Sequence, residues 1–85
     1  DSMSMIFFTF RAQTGARQGA LILSQAGISA RVGRTPSGMA EYGCGYGIWV
    51  SGHQGGRAAE LLRSRRPSYE RSYLVEGGRQ QEVFL

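Results

Sequence analysis

This 85-residue chain has no lysine, one cysteine and one histidine. A single cysteine excludes an internal disulfide and a cysteine-rich zinc site, and it fits a reducing, cytoplasmic setting. His53 has no second metal-type ligand at metal spacing, so it reads as a residue of a helix first turn, and no metal or cofactor is expected. Long apolar runs are also missing. Met5-Ile6-Phe7-Phe8, the longest near the start, is far too short to span a membrane and lacks the basic flank of a signal peptide. A chain of this length buries only roughly 60–65% of its unfolded surface, which leaves no room for a large cofactor cavity. One domain is expected over residues 1–85, with 1–4 and 76–85 as tails.

With lysine absent, the formal net charge of +4 rests on arginine alone. Guanidinium groups match phosphate and carboxylate, so anionic partners are compatible with this balance, although a solvated basic surface needs no ligand. Arg63, Arg65 and Arg66 fall near the end of an expected helix, where they favour its dipole without a ligand. An RNA or acidic-protein contact there is the other reading.

The hydrophobic pattern predicts alternating strands and helices. Met5 to Phe10 reads as an opening strand that is apolar on both faces and therefore central in its sheet. Thr14 offers an N-cap, and Ala16, Ala20, Leu23 and Gly27 recur at helical spacing, with Gly27 as the stop. Ile28, Ala30 and Val32 alternate as a second strand. Arg34 to Gly45 reads as a loop and Tyr46 to Val50 as a third strand. Ser51 and Gln54 are spaced as a capping box for a helix through Leu62 that Pro67 ends. Tyr69, Arg71, Tyr73 and Val75 alternate in a fourth strand, and Gly77-Gly78 can turn the chain into an edge strand over Gln80 to Leu85. This order predicts an α+β, ferredoxin-like split βαβ sandwich (βαββαβ), with two helices on one face of an antiparallel sheet and a fifth, C-terminal edge strand.

Candidate chemistry centres on Cys44, in the run Gly43-Cys44-Gly45-Tyr46-Gly47-Ile48-Trp49-Val50. Glycines on both sides let a partner's backbone approach the sulfur without meeting a β-carbon. A thiol that works must ionise, and a free thiol near 8.5 is mostly protonated at neutral pH. Arg34 is the nearest cation by loop logic, with His53 and Arg57 at the start of the second helix as others, and loop amides can form an anion nest. A cysteine that merely fills a loop–core junction is equally compatible with the residues. Gly43-x-Gly45-x-Gly47 precedes a strand, so it is not a dinucleotide fingerprint. Gly52, Gly55 and Gly56 at a strand-to-helix turn are explained by tight-turn geometry as well as by an anion site.

Thr35-Pro36, followed eight residues later by Cys44-Gly45 and a short apolar strand, resembles the selenium/sulfur carrier-like family of small bacterial proteins. Phe10 before the first helix, Ala16 and Leu23 on its face, and Ala26-Gly27-Ile28 leading into the second strand extend the resemblance over roughly residues 5 to 66. Arg34 stands where that family often has proline, and Ala20 or a neighbour where it commonly has an acidic residue. The resemblance implies a carrier, sulfurtransferase-like at most, that holds a persulfide or selenosulfide on Cys44. Gly43 and Gly45 would give access, Thr35 and Pro36 would shape the loop, and Arg34 would favour the anion. Its partners would be donor and acceptor proteins for sulfur or selenium.

A second class of function rests on the open sheet face. RNA-recognition motifs share the strand–helix order, and Gly45-Tyr46-Gly47 fits three positions of their signature. Cys44, Ile48 and Ser51 stand where basic and aromatic residues belong, so the match fails at the residues that stack bases and hold phosphate. Phe7 and Trp49 are expected to emerge on the open face and to be covered there by the last strand or by a second subunit, which makes a homodimer the further partner expected. A purely structural, dimerising domain is the third class.

Overall fold

A computed structural model describes residues 4–36, 45–65 and 68–85 of the chain. Its order is β1 (Met5–Thr9), α1 (Gln13–Gln25), β2 (Ala30–Arg34), β3 (Tyr46–Ser51), a 3-10 turn (Gly52–Gln54), α2 (Gly55–Arg63), β4 (Arg71–Glu76) and β5 (Arg79–Val83). The strands form one open, antiparallel sheet in the order β2-β3-β1-β4-β5, so the fold is α+β, with two helices. β1 is its middle strand, as its two apolar faces require.

Register divides the strand residues cleanly between faces, because side chains alternate along a strand. Ile6 pairs with Val50 and Leu74, and Phe8 with Ile48 and Ser72. These residues point toward the helices, where Ala16 and Leu23 of α1 and Ala58, Ala59 and Leu62 of α2 complete the core. Helix α1 lies close on the sheet because Gly19 has no side chain. A Cβ there would stand 2.9 Å from Ile48 Cδ1 and 3.0 Å from Phe10 Cζ. Tyr69 closes one end of the core with its ring 4.7 Å from that of Phe8. Two buried polar side chains are satisfied within the sheet. Thr9 Oγ1 accepts from the Arg71 amide at 3.1 Å, and Ser72 Oγ donates to the Val83 carbonyl at 2.8 Å.

Several boundaries differ from the sequence expectation. Ile28 does not open β2. The Ile28 amide bonds to the Leu23 carbonyl and the Gly27 amide to that of Ser24, with Gly27 at φ +83°. That is the Schellman pattern, with apolar Leu23 and Ile28 packed together, so β2 starts two residues later. Arg34 is consequently the last residue of β2 rather than the first of a loop. Thr14 lies inside the first turn of α1, whose N-cap is Ala12, and no side chain caps that end. Ser51 ends β3 and makes no capping bond; a 3-10 turn precedes α2 instead. Tyr69 precedes β4. Gly77 and Gly78, at φ +55° and +80°, make the two-residue turn into β5, which ends at Val83. Pro67 and Arg66 lie outside the described residues.

Candidate functional site

The connection between β2 and β3 is held at both ends. Arg34 pairs with Tyr46 as the last rung of the ladder, and beyond it the Thr35 amide donates to the Gly45 carbonyl at 2.8 Å. Gly45 takes φ +87°, a region that costs an L-residue, and nothing lies within 4 Å of where its Cβ would be. Thr35 and Pro36 are half-buried and Arg34 is exposed. Gly43 and Cys44 lie outside the described residues. Of the six expected site residues, the structure therefore brings together Arg34, Thr35, Pro36 and Gly45.

The topology sorts the other candidates by end of the sheet. Because β1 and β3 are antiparallel, with Thr9 opposite Gly47, the β1–α1 connection and the β2–β3 connection share one end. The positive end of the α1 dipole and Arg11 are there too, Arg11 facing Glu70 at 3.5 Å. His53 and Arg57 are not. They follow β3 at its far end, which six residues at about 3.3 Å each place roughly 20 Å from Gly45. Closeness in sequence suggested that they flank the thiol, but the full length of β3 separates them from Gly45. The α1 terminus and Arg11 escape a sequence reading for a related reason: which connections share an end depends on strand order. Among the described residues no group of three or more His, Cys, Asp or Glu side chains converges. No described helix is long and apolar enough to cross a membrane.

The second candidate region is the sheet face turned away from the helices. One row crosses all five strands: Arg31, Trp49, Phe7, Tyr73 and Glu82, each paired in register with the next. Phe7 is completely buried although no described helix covers it. Its ring lies 4.7 Å from that of Trp49, tilted by 57°. The two rings lean over glycines. A Cβ at Gly47 would collide with the Phe8 carbonyl and the Phe7 ring, and one at Gly33 would stand 3.0 Å from the Trp49 indole. Trp49 and Tyr73 themselves remain half-buried. The last strand does not cover them, contrary to one sequence expectation: β5 pairs edge-on with β4 and extends the sheet. Beside Trp49 lies a notch of about 200 Å³ lined by Met5, Ser29, Arg31, Trp49 and Ser51.

The basic end of α2 is partly committed within the fold. Arg63 donates to the Tyr69 hydroxyl at 3.0 Å and to the Leu85 carbonyl, which leaves Arg57 and Arg65 exposed. Comparison with protein-family models, with curated proteins and with solved structures gave no match.

Proposed function

We propose that the chain is a small carrier that holds sulfur or selenium on Cys44 and passes it to an acceptor protein. The observation that carries this reading is the bond between Thr35 and Gly45, which fastens both ends of the connection containing Cys44 at one end of the sheet. Arg34 and the positive end of α1 stand at that same end, and both favour an anion there. Thr35-Pro36 and Cys44-Gly45, the residues of the family resemblance, are the two sides of this fastened connection. We also infer that the fold is the ferredoxin-like split βαβ sandwich with β5 added at its edge. The element order through β4 and the neighbours β4-β1-β3-β2 support that assignment.

In the carrier cycle the Cys44 thiolate attacks the terminal sulfur of a donor persulfide. The donor's sulfur–sulfur bond breaks, the donor leaves as a thiolate, and Cys44 becomes the persulfide. An acceptor thiolate then attacks the same terminal sulfur and releases Cys44. No net oxidation occurs, so no redox cofactor is required.

Intact mass of the reduced protein after incubation with a persulfide donor tests this. A gain of one sulfur atom, absent in Cys44→Ala and discharged by an acceptor thiol, is the expected result. A protein that stays unmodified while its thiol titrates like free cysteine would overturn the reading. A second reading, a non-enzymatic binding module working through the open sheet face, is favoured by the row from Arg31 to Glu82.

A further inference from the structure

We propose that the open sheet face is a docking surface for a second copy of this chain, with the twofold axis parallel to β1. This interface uses none of the residues of the carrier reading and stands or falls apart from it.

The row across the face is opposite in charge at its two ends. Arg31 on the β2 edge is exposed and makes no ion pair with any described residue. Glu82 on the β5 edge faces Arg71 of the neighbouring strand at 3.5 Å. Between them run Trp49, Phe7 and Tyr73, with Phe7 at the centre, because β1 is the middle of the five strands. Two such faces can be laid together about either of two in-plane axes. An axis across the strands sets Arg31 over Arg31 and Glu82 over Glu82, which is repulsive. An axis along β1 instead sets each Arg31 over Glu82 of the second copy and Trp49 over Tyr73, on either side of the buried Phe7. Charge therefore selects the second arrangement, and it is self-complementary, as a twofold interface must be.

Shape agrees with charge. In that arrangement β4 of one copy lies over β3 of the other. Val75, which shares a row with Met5 and Ser51, then falls over Ser51 and into the notch beside Trp49. Five strands about 4.8 Å apart and five residues long present roughly 400 Å² each in flat projection. The pair thus covers about 800 Å² before side-chain relief is counted, below the range of stable specific interfaces, so the dimer is transient and micromolar or weaker. A nucleic acid fits the same face less well, because the Glu82 carboxylate ends the row where a phosphate would have to lie.

The test is sedimentation equilibrium in reductant, from about 1 µM to about 1 mM chain, read together with tryptophan emission. Trp49 is the only tryptophan, so its emission reports this face alone. Mass should rise from monomer to dimer as the emission shifts blue. Arg31→Glu and Glu82→Arg should each weaken association at least about tenfold, and the double exchange should restore it. Circular dichroism melts confirm that each variant is folded, and Cys44→Ala should associate like the natural chain. A monomer throughout this range, or a dimer whose affinity ignores both reversals, overturns the proposal. Salt-dependent oligonucleotide binding by a strictly monomeric chain, lost in Trp49→Ala, overturns it in favour of nucleic acid.

Discussion

The two faces of the sheet are nearly matched in apolar side chains and differ in who covers them. Toward the helices, Ile6, Phe8, Ile48 and Val50 are sealed by α1 and α2 of the same chain. On the opposite side no described helix covers Met5, Phe7, Trp49, Tyr73 and Val75, and of these five Phe7 alone reaches full burial. Antiparallel sheets usually alternate between apolar and polar along each strand when one face meets water. Here β1 does not alternate, and the proposed docking of a second copy would cover its second apolar side.

Substitution at paired positions on β1 separates the two faces most strongly. Phe8→Ala empties a site enclosed by both helices and Tyr69, and about 4–5 kcal/mol of stability should be lost. A chain this small has a total of roughly 4–13 kcal/mol, so that loss takes about a third of it or more and should be read as a strongly lowered melting temperature by circular dichroism. Phe7→Ala removes the same side chain from the open face, where Trp49 can settle into the space. Its loss should be nearer 3 kcal/mol. Equal losses in denaturant titrations would mean that the open face holds the fold as firmly as the covered one.

Gly47→Ala probes the junction between the faces. The new methyl group would meet the Phe8 carbonyl and the Phe7 ring at once, and neither belongs to a flexible chain end. A loss of about 2–3 kcal/mol is expected, together with a change in Trp49 emission as the aromatic row is displaced. An unchanged emission spectrum would show that the row is not seated on this glycine.

Much of this organisation is readable from the residues. Strand β1, the Gly27 stop, the Gly77-Gly78 turn and the exit of Phe7 and Trp49 on the open face all follow from local pattern, because each depends on neighbours within a few positions. The misplaced boundaries share one cause. Ile28 and Tyr69 carry strand-like apolar character but use it for packing at an element's end, Ile28 against Leu23 and Tyr69 against Phe8. The row from Arg31 to Glu82 is legible only in part, since β1 and β3 are far apart in sequence and their register is set by packing. For the same reason the sequence could not place Arg11 beside the Cys44 connection or His53 away from it.

Gly45→Ala should cost about 1–2 kcal/mol, because φ +87° is strained for alanine while space for the methyl group is open. The penalty belongs to the hairpin end, so the variant should keep the Trp49 emission of the natural chain and differ from Gly47→Ala in that respect. If persulfide loading of Cys44 slows in Gly45→Ala while the melt moves by only a few degrees, the fastened connection matters for the carrier step beyond its stability.

The smallest expected effect has the opposite sign. Gly56 is exposed near the start of α2, with ordinary φ and nothing within 4 Å of where a methyl group would stand. Alanine there should stabilise the chain by up to about 1 kcal/mol through helix propensity and a less disordered unfolded state. Gly55, one residue earlier, is the control, since its Cβ would stand 2.6 Å from Ile6 Cγ1. Gly55→Ala should therefore destabilise where Gly56→Ala stabilises. Thermal melts that moved the same way for both would contradict the close seat of α2 on β1, and with it the sealing of that face by the chain's own helix.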